Sequence, residues 1–269
     1  MKYTQIETVR ARKPLIHHIT NYVTANDCAN ITIAAGASPI MADAQEEAAH
    51  ITENAAALVL NMGTLNERTV ASMLAAGRAA NRAGVPVIFD PVGVGASPFR
   101  NRTAARLLSE VRICVLRGNR SELRFLAGRN ADIKGVDAAA DDRNSATDAA
   151  VVVKALAARL HCVAALSGAA DVISDGDRVI RVENGHPMLA CISGTGCMCA
   201  ALIGAFCGAA PESPLAAAVG AMLTIGIAGE LAFAKAGSLG YGSFHAALHD
   251  AVSQLDGAAM KGSAKCYEA

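Results

Sequence analysis

Four short apolar runs in this sequence each stop at a glycine or a polar residue, with helix-length stretches between them. The runs are ALVLNMG (57–63), VPVIFDPVG (85–93), ICVLRGN (113–119) and CVAALSG (162–168). Their length, β-branched content and turn-forming ends suit buried strands. Helical patterns cover 64–83, 101–110, 120–128 and 145–160. Such alternation implies an α/β fold with a mostly parallel central sheet and helices on both faces. Ligands in sheets of this kind collect beyond the carboxyl ends of the strands. Polar residues at those ends are therefore site candidates before any motif is considered.

The stretch DVISDGDRVIRV (171–182) follows a different rule. Two β-rich runs flank Asp175-Gly176, so an antiparallel hairpin is expected beside the parallel strands. From Thr195 onward the pattern is helical, over 196–208, 213–236 and 243–256. DAAADDRNSATD (137–148) reads as an exposed loop before a helix. There is no repeat and no linker, so residues 1–269 are expected to form one domain.

Residues 184–211 hold no Asp, Glu, Lys or Arg. Gly-His-Pro and Gly-Thr-Gly interrupt them, leaving 197–208 as an unbroken apolar helix. A second apolar run, 215–229, ends at Glu230. Both fall short of the roughly 20 residues of a membrane span and read as buried core helices. Aromatic residues make up only 4% of the chain, so Ala, Gly and Val must do the packing, and elements should approach closely. Lys and Arg number 24, as do Asp and Glu, and no basic block stands out; nucleic acid is not an expected partner. The eight cysteines contain no C-x-x-C pair and several lie inside apolar runs, which suits buried free thiols in a reducing compartment. The start, MKYTQIETVR, lacks the apolar core of a secretory leader, so a cytoplasmic location is expected.

SGTGCMCAAL (193–202) places a thiol at the mouth of a glycine turn that opens an apolar helix. A helix N-terminus offers unpaired amides and a positive dipole end. Gly194, Thr195, Gly196 and Cys197 would form an anion site there, buried deeply by the helix behind it; the plainer alternative is a chain turn. Neither a P-loop nor a dinucleotide fingerprint occurs, since GVGASPFR lacks the third glycine. Asp90 and Glu122 follow adjacent candidate strands and could share a Mg²⁺ ion, which favours one or two carboxylates plus phosphate. Alternatively, Asp90 forms an Asp-Pro turn and Glu122 is a first-turn acid after an Asn119 cap. Arg117 is a phosphate clamp or a surface arginine. Asn21 is a helix cap or a ligand contact. His17 and His18 have no matching ligands at metal spacing, so no zinc site is expected.

Taken together, HHITNYVT, GASPIMADAQEE, NMGTL, FDPVGVG, RGNRSE, DVISDG and NGHPML…SGTGC resemble the hydroxyethylthiazole kinases of the ribokinase-like superfamily. The segments span about 17–208 in family order and spacing. The resemblance implies a ribokinase-like fold and ATP- and Mg²⁺-dependent phosphorylation of the primary alcohol of 4-methyl-5-(2-hydroxyethyl)thiazole, a thiamin-salvage reaction. It implies a homotrimer with sites between subunits. It assigns Asp90 and Glu122 to the metal; Arg117, Ser167 and Asn119 to ATP; and Asn21, Met41, Gly63 and Gly194 to the thiazole. Cys197 stands where many superfamily relatives carry an aspartate base, and here reads as a weak base or positioning group. Ser167 replaces the usual Thr but keeps its hydroxyl, and Cys191 occupies a position expected to be basic. A pyridoxine- or hydroxymethylpyrimidine-type kinase, a non-catalytic thiazole sensor and a thiol transferase using Cys197 with His186 as base are the alternatives.

Overall fold

The computed structural model describes residues 5–128 and 142–269, and side chains throughout except at 142–147. In chain order the helices are α1 (Gln5–Arg12), α2 (Ala25–Ala34), α3 (Ala48–Glu53), α4 (Glu67–Ala83), α5 (Pro98–Glu110), α6 (Arg120–Leu126), α7 (Asp142–Leu160), α8 (Thr195–Ala209), α9 (Pro214–Ala236), α10 (Tyr241–Gln254) and α11 (Gly257–Ser263). The strands are β1 (Leu15–Ile19), β2 (Ser38–Met41), β3 (Ala57–Asn61), β4 (Val87–Asp90), β5 (Val115–Asn119), β6 (Val163–Ser167), β7 (Asp171–Ser174), β8 (Val179–Val182) and β9 (Cys266–Glu268).

These strands form one sheet in the order β2-β1-β3-β4-β5-β6-β7-β8-β9. The pairs from β2 to β6 are parallel, and β7, β8 and β9 continue antiparallel. The α/β reading and the hairpin therefore hold. Alternate residues of β3 face opposite sides: Ala57 and Val59 join α8 and α9 in one core, while Leu58 and Leu60 join α4 and α5 in the other. This is the period-2 geometry of a sheet covered on both faces.

Helix ends follow local chemistry. Asn66 caps α4 through the Thr69 amide, and Gly84 ends that helix at φ +72°. Ser97 caps α5 ahead of Pro98. The α8 helix is apolar all round because it is covered all round, by β1, β3, α2 and α9.

Several expectations needed correction. β1 and β2 lie in a segment whose polarity hid them. β1 is an interior strand next to the edge strand β2 and carries His17 and His18 on opposite faces, so the two rings cannot share an ion. His17 sits between Thr52 Oγ1 (2.8 Å) and the Ala42 carbonyl (2.7 Å). Burial, with His17 alongside, pushes His18 down to about 3, so it is a neutral core residue. The loop expected over 137–148 is helical from Asp142; 137–141 lie outside the described residues. The second apolar run lies within α9, whose 23 residues (Pro214–Ala236) match the helix expected over 213–236. It is long and apolar enough to cross a bilayer, yet 78% of its most apolar stretch is buried inside this fold, as a core helix requires. Cys191 is exposed, unlike the buried thiols expected; all eight cysteines are free.

Candidate active site

The carboxyl ends of β3, β4, β5 and β6 present Asn61, Asp90, Asn119 and Ser167 in a row, and the first turn of α8 sits above them. Asp90 and Arg117 are carried by adjacent strands and lie 3.7 Å apart, both deeply buried. Arg117 also donates to Ser167 Oγ at 2.8 Å. The surface-arginine alternative is thereby removed: the guanidinium spans from the β4 acid to the β6 hydroxyl.

Burial pushes the Asp90 carboxyl up to about 7, although Arg117 pulls against it. Asp171, at the start of β7, is also raised by burial to about 7, while the Gly168 amide and Arg117 pull it down. Burial works against the Arg117 charge, but the surrounding acids outweigh it, so its pKa rises and it stays a cation.

Asn61 ties the centre together. Its Nδ2 donates to Asp90 Oδ2 at 2.9 Å and approaches Cys197 Sγ at 3.3 Å. Its Oδ1 accepts from Asn21 Nδ2 and from the Gly63 amide, each at 2.9 Å. Asn21 Nδ2 also approaches Cys197 Sγ, at 3.4 Å, and its Oδ1 accepts from the Thr24 amide. Asn21 thus caps the turn ahead of α2, while Thr24 occupies the cap position of the helix proper. The cap and contact alternatives were not exclusive. The Cys197 thiol is raised by burial and by Asp90 beside it, against the lowering expected at a helix N-terminus. It is held as a thiol that accepts from two amides.

The α8 turn depends on glycine at two positions. Gly194 adopts φ +89°, a region that side chains disfavour, and a Cβ there would lie 2.7 Å from Thr24 Cγ2. A Cβ on Gly196 would lie 2.6 Å from Arg117 Nη1. The first ladder bond of α8 runs from the Met198 amide to the Gly194 carbonyl, so the amides of Thr195, Gly196 and Cys197 precede the ladder. The turn is half-buried rather than deeply buried. Beside it opens a cavity of about 470 Å³ lined by Arg117, Ser167, Asp171, His186, Thr195 and Gly196, among others. Arg117 therefore faces Asp90 on one side and this cavity on the other.

Glu122 and Asn119 form a reciprocal capping box at the start of α6. Glu122 Oε2 accepts from the Asn119 amide and Oε1 from the Gly93 amide, each at 2.8 Å. Asp90 Oδ1, by contrast, is buried with no hydrogen-bond partner. A hard cation fits at Asp90, while Glu122 can offer only the lone pairs its cap leaves free. Met41 closes β2, the sheet edge, and is 40% exposed. The Gly63 carbonyl accepts from Arg100 Nη2 at 2.6 Å, fixing the loop after β3. His186 stacks on Phe233 and accepts the Met188 amide at Nδ1, which ties its ring away from a base role toward Cys197.

Sequence reasoning passed over Asn61, Asp171 and Thr24. Asn61 had a usable signal, being the polar residue at the end of a buried strand. Asp171 opens a hairpin strand whose return toward Arg117 is a matter of sheet order. Thr24 is defined only by its contact with Gly194.

The hydroxyethylthiazole kinase family model matches residues 6–258. A curated hydroxyethylthiazole kinase from Clostridium beijerinckii is 56% identical over 251 residues, covering 93% of this chain and 91% of the relative. One from Clostridium botulinum is 49% identical over 261 residues, covering 97% and 94%. The solved structure of hydroxyethylthiazole kinase from Pyrococcus horikoshii OT3 matches with a TM-score of 0.89 at 38% identity, covering 98% of this chain and 97% of that one. Pyridoxal kinase from Bacillus subtilis, at 17% identity and TM-score 0.60, shares the fold. With its fold, its row of strand-end polar groups and the family model in register over nearly all of its length, this chain belongs to the hydroxyethylthiazole kinase family.

Proposed function

We propose that this protein, as one kinase domain over residues 1–269, transfers the γ-phosphoryl group of ATP to the primary hydroxyl of 4-methyl-5-(2-hydroxyethyl)thiazole. The supporting observation is the single network that joins Cys197, Asn61, Asp90, Arg117 and Ser167 beneath the α8 turn. Phosphoryl transfer needs alignment and charge neutralisation more than covalent chemistry. Arg117, with Asn119 at the end of its own strand and Ser167 at the end of the neighbouring one, holds the phosphates from the cavity side. The amides of Gly194, Thr195, Gly196 and Cys197 face the migrating group as an anion hole. Asn21, Gly63, Gly194 and Met41 bound the thiazole side. Asp90, supported by Glu122, would hold Mg²⁺, which supplies charge neutralisation for the phosphates. A second copy of the chain completes the exposed Met41 side in a trimer, consistent with Tyr22 at 83% exposure next to Asn21 in sequence. The reaction is placed in the cytoplasm. ADP release measured with Mg-ATP, with and without the thiazole alcohol, tests this. ADP release independent of the alcohol, or driven equally by pyridoxine, contradicts it.

Cys197 acts here as a weak base or positioning group. Its sulfur sits where two amide N–H groups converge, so an aspartate carboxylate would find the same donors. Cys197→Asp is expected to retain turnover within about tenfold, and Cys197→Ala to lose about 10²-fold. A covalent thiol mechanism loses its nucleophile in both variants, so both would be dead. Steady-state kinetics on the two variants separate these outcomes.

The Asp90 carboxyl, raised to about 7, sets the acid side of the pH profile. Asp90 must be ionised to attract a cation, so kcat/KM is expected to fall about tenfold per pH unit below that value. A profile flat down to about pH 5.5 contradicts the assignment of Asp90.

A further inference from the structure

A second cluster of ligating groups stands on the far side of the Gly194 turn. Asp27 lies on α2, and His245 and His249 occupy one face of α10 four residues apart. Asp27 Oδ1 is 3.0 Å from His245 Nε2. One donor atom from each of the three residues lies within 4.8 Å of the other two. The imidazole rings meet edge to face, with centroids 5.1 Å apart.

The protonation pattern suits a ligand set. His249 Nδ1 is 3.0 Å from the His245 carbonyl, which can only accept. Nδ1 therefore carries the proton, and Nε2 is left with its lone pair. Metal-binding histidines are characteristically oriented in this way, by a carbonyl on the other ring nitrogen. Both Nε2 atoms are shielded from solvent and neither has a hydrogen-bond partner; the Asp27 carboxylate is close to His245 but out of line for one. The side chains themselves lie at the rim of the fold, with that of His245 35% and that of Asp27 20% exposed.

We propose that Asp27, His245 and His249 bind a divalent transition-metal ion of the zinc class, at a site separate from the phosphoryl-transfer centre. Two imidazole nitrogens and one carboxylate oxygen, with a fourth position for water, match the preferences of Zn²⁺ and Co²⁺. Mg²⁺ takes oxygen ligands and does not suit two imidazoles. Asp27 Oδ2 lies 3.5 Å from where a Cβ on Gly194 would stand, so the ion ties α2 to α10 directly behind the glycine turn.

The test uses the full chain after chelator treatment and dialysis. Titration calorimetry with Zn²⁺ should show one site per chain, and saturating Zn²⁺ should raise the melting temperature. Co²⁺ should give visible d–d bands without a thiolate charge-transfer band, and excess Mg²⁺ should not displace it. His249→Leu and Asp27→Asn, each melting like the parent when metal-free, should weaken Zn²⁺ binding about 100-fold and lose the thermal shift. The proposal is overturned by parental affinity in either variant, by a thiolate band (which would place the ion on cysteine), or by no binding in the parent.

Discussion

Replacing Arg117 with methionine should lower kcat/KM about 10³-fold, the scale on which a cation at a transferring phosphoryl group acts. Arg117 joins the Asp90 carboxylate, the Ser167 hydroxyl and the 470 Å³ cavity. Methionine keeps much of the volume and removes the charge, so the loss reports electrostatics rather than packing. The same change leaves Asp90 buried without its cation, and stranding one member of a buried pair typically destabilises by about 3–5 kcal/mol. That penalty depends on pH. Asp90 is already raised above its unfolded value, and losing Arg117 raises it further. A carboxyl raised in the folded state costs nothing extra below its unfolded pKa, and stability drains away as pH rises toward the folded one. The variant should therefore melt close to the parent near about pH 5 and well below it at about pH 8. Arg117→Lys should recover part of both losses. Kinetics within threefold of the parent would remove Arg117 from the phosphoryl site.

Gly194→Ala should lower kcat about 10²-fold while the protein remains folded. The methyl group meets two obstacles. The backbone is at φ +89°, where a side chain is strained by about 1–2 kcal/mol. It would also stand 2.7 Å from Thr24 Cγ2. Thr24 is buried, and its amide is held by Asn21 Oδ1, so it cannot yield without moving Asn21. Asn21 in turn donates toward Cys197 and Asn61. A displacement of a few tenths of an ångström thus reaches the groups around the acceptor oxygen. The strain and contact together should lower the melting temperature by about 4–10 °C. Calorimetry combined with steady-state rates tests both halves. A lower melting temperature with unchanged kcat would mean that the turn lies away from the reacting centre.

The parallel strands that carry the candidate site could be read directly, because each is a short buried run ending in the residue that now lines the centre. Asp90, Asn119 and Ser167 are such residues. Arg117, two positions before the end of β5, was legible as a charge inside an apolar run. Its environment was not: only the pairing of β5 with β4 on one side and β6 on the other places it between Asp90 and Ser167. Glu122 was read both as a cap and as a metal acid, and its two occupied oxygens show the capping geometry in full. β1 was missed for a clear reason. Two histidines interrupt its apolar pattern, and nothing local reveals that Thr52 and Ala42 will hold His17 or that Thr32 will meet His18 Nε2.

Periodicity and turn chemistry act over a few residues, so they established the strands β3 to β8 with the helices α4 to α10, the hairpin at Asp175-Gly176 and the glycine turn before α8. The environment of a side chain is set by neighbours that are remote along the chain. Cys197 meets Asn21 and Asn61, 176 and 136 positions away, and that meeting exists only once the sheet has assembled and α8 has docked on it. Burial in that assembly raised the Cys197 thiol and the Asp90 carboxyl, because desolvation depends on what surrounds a group in space rather than on what adjoins it in sequence.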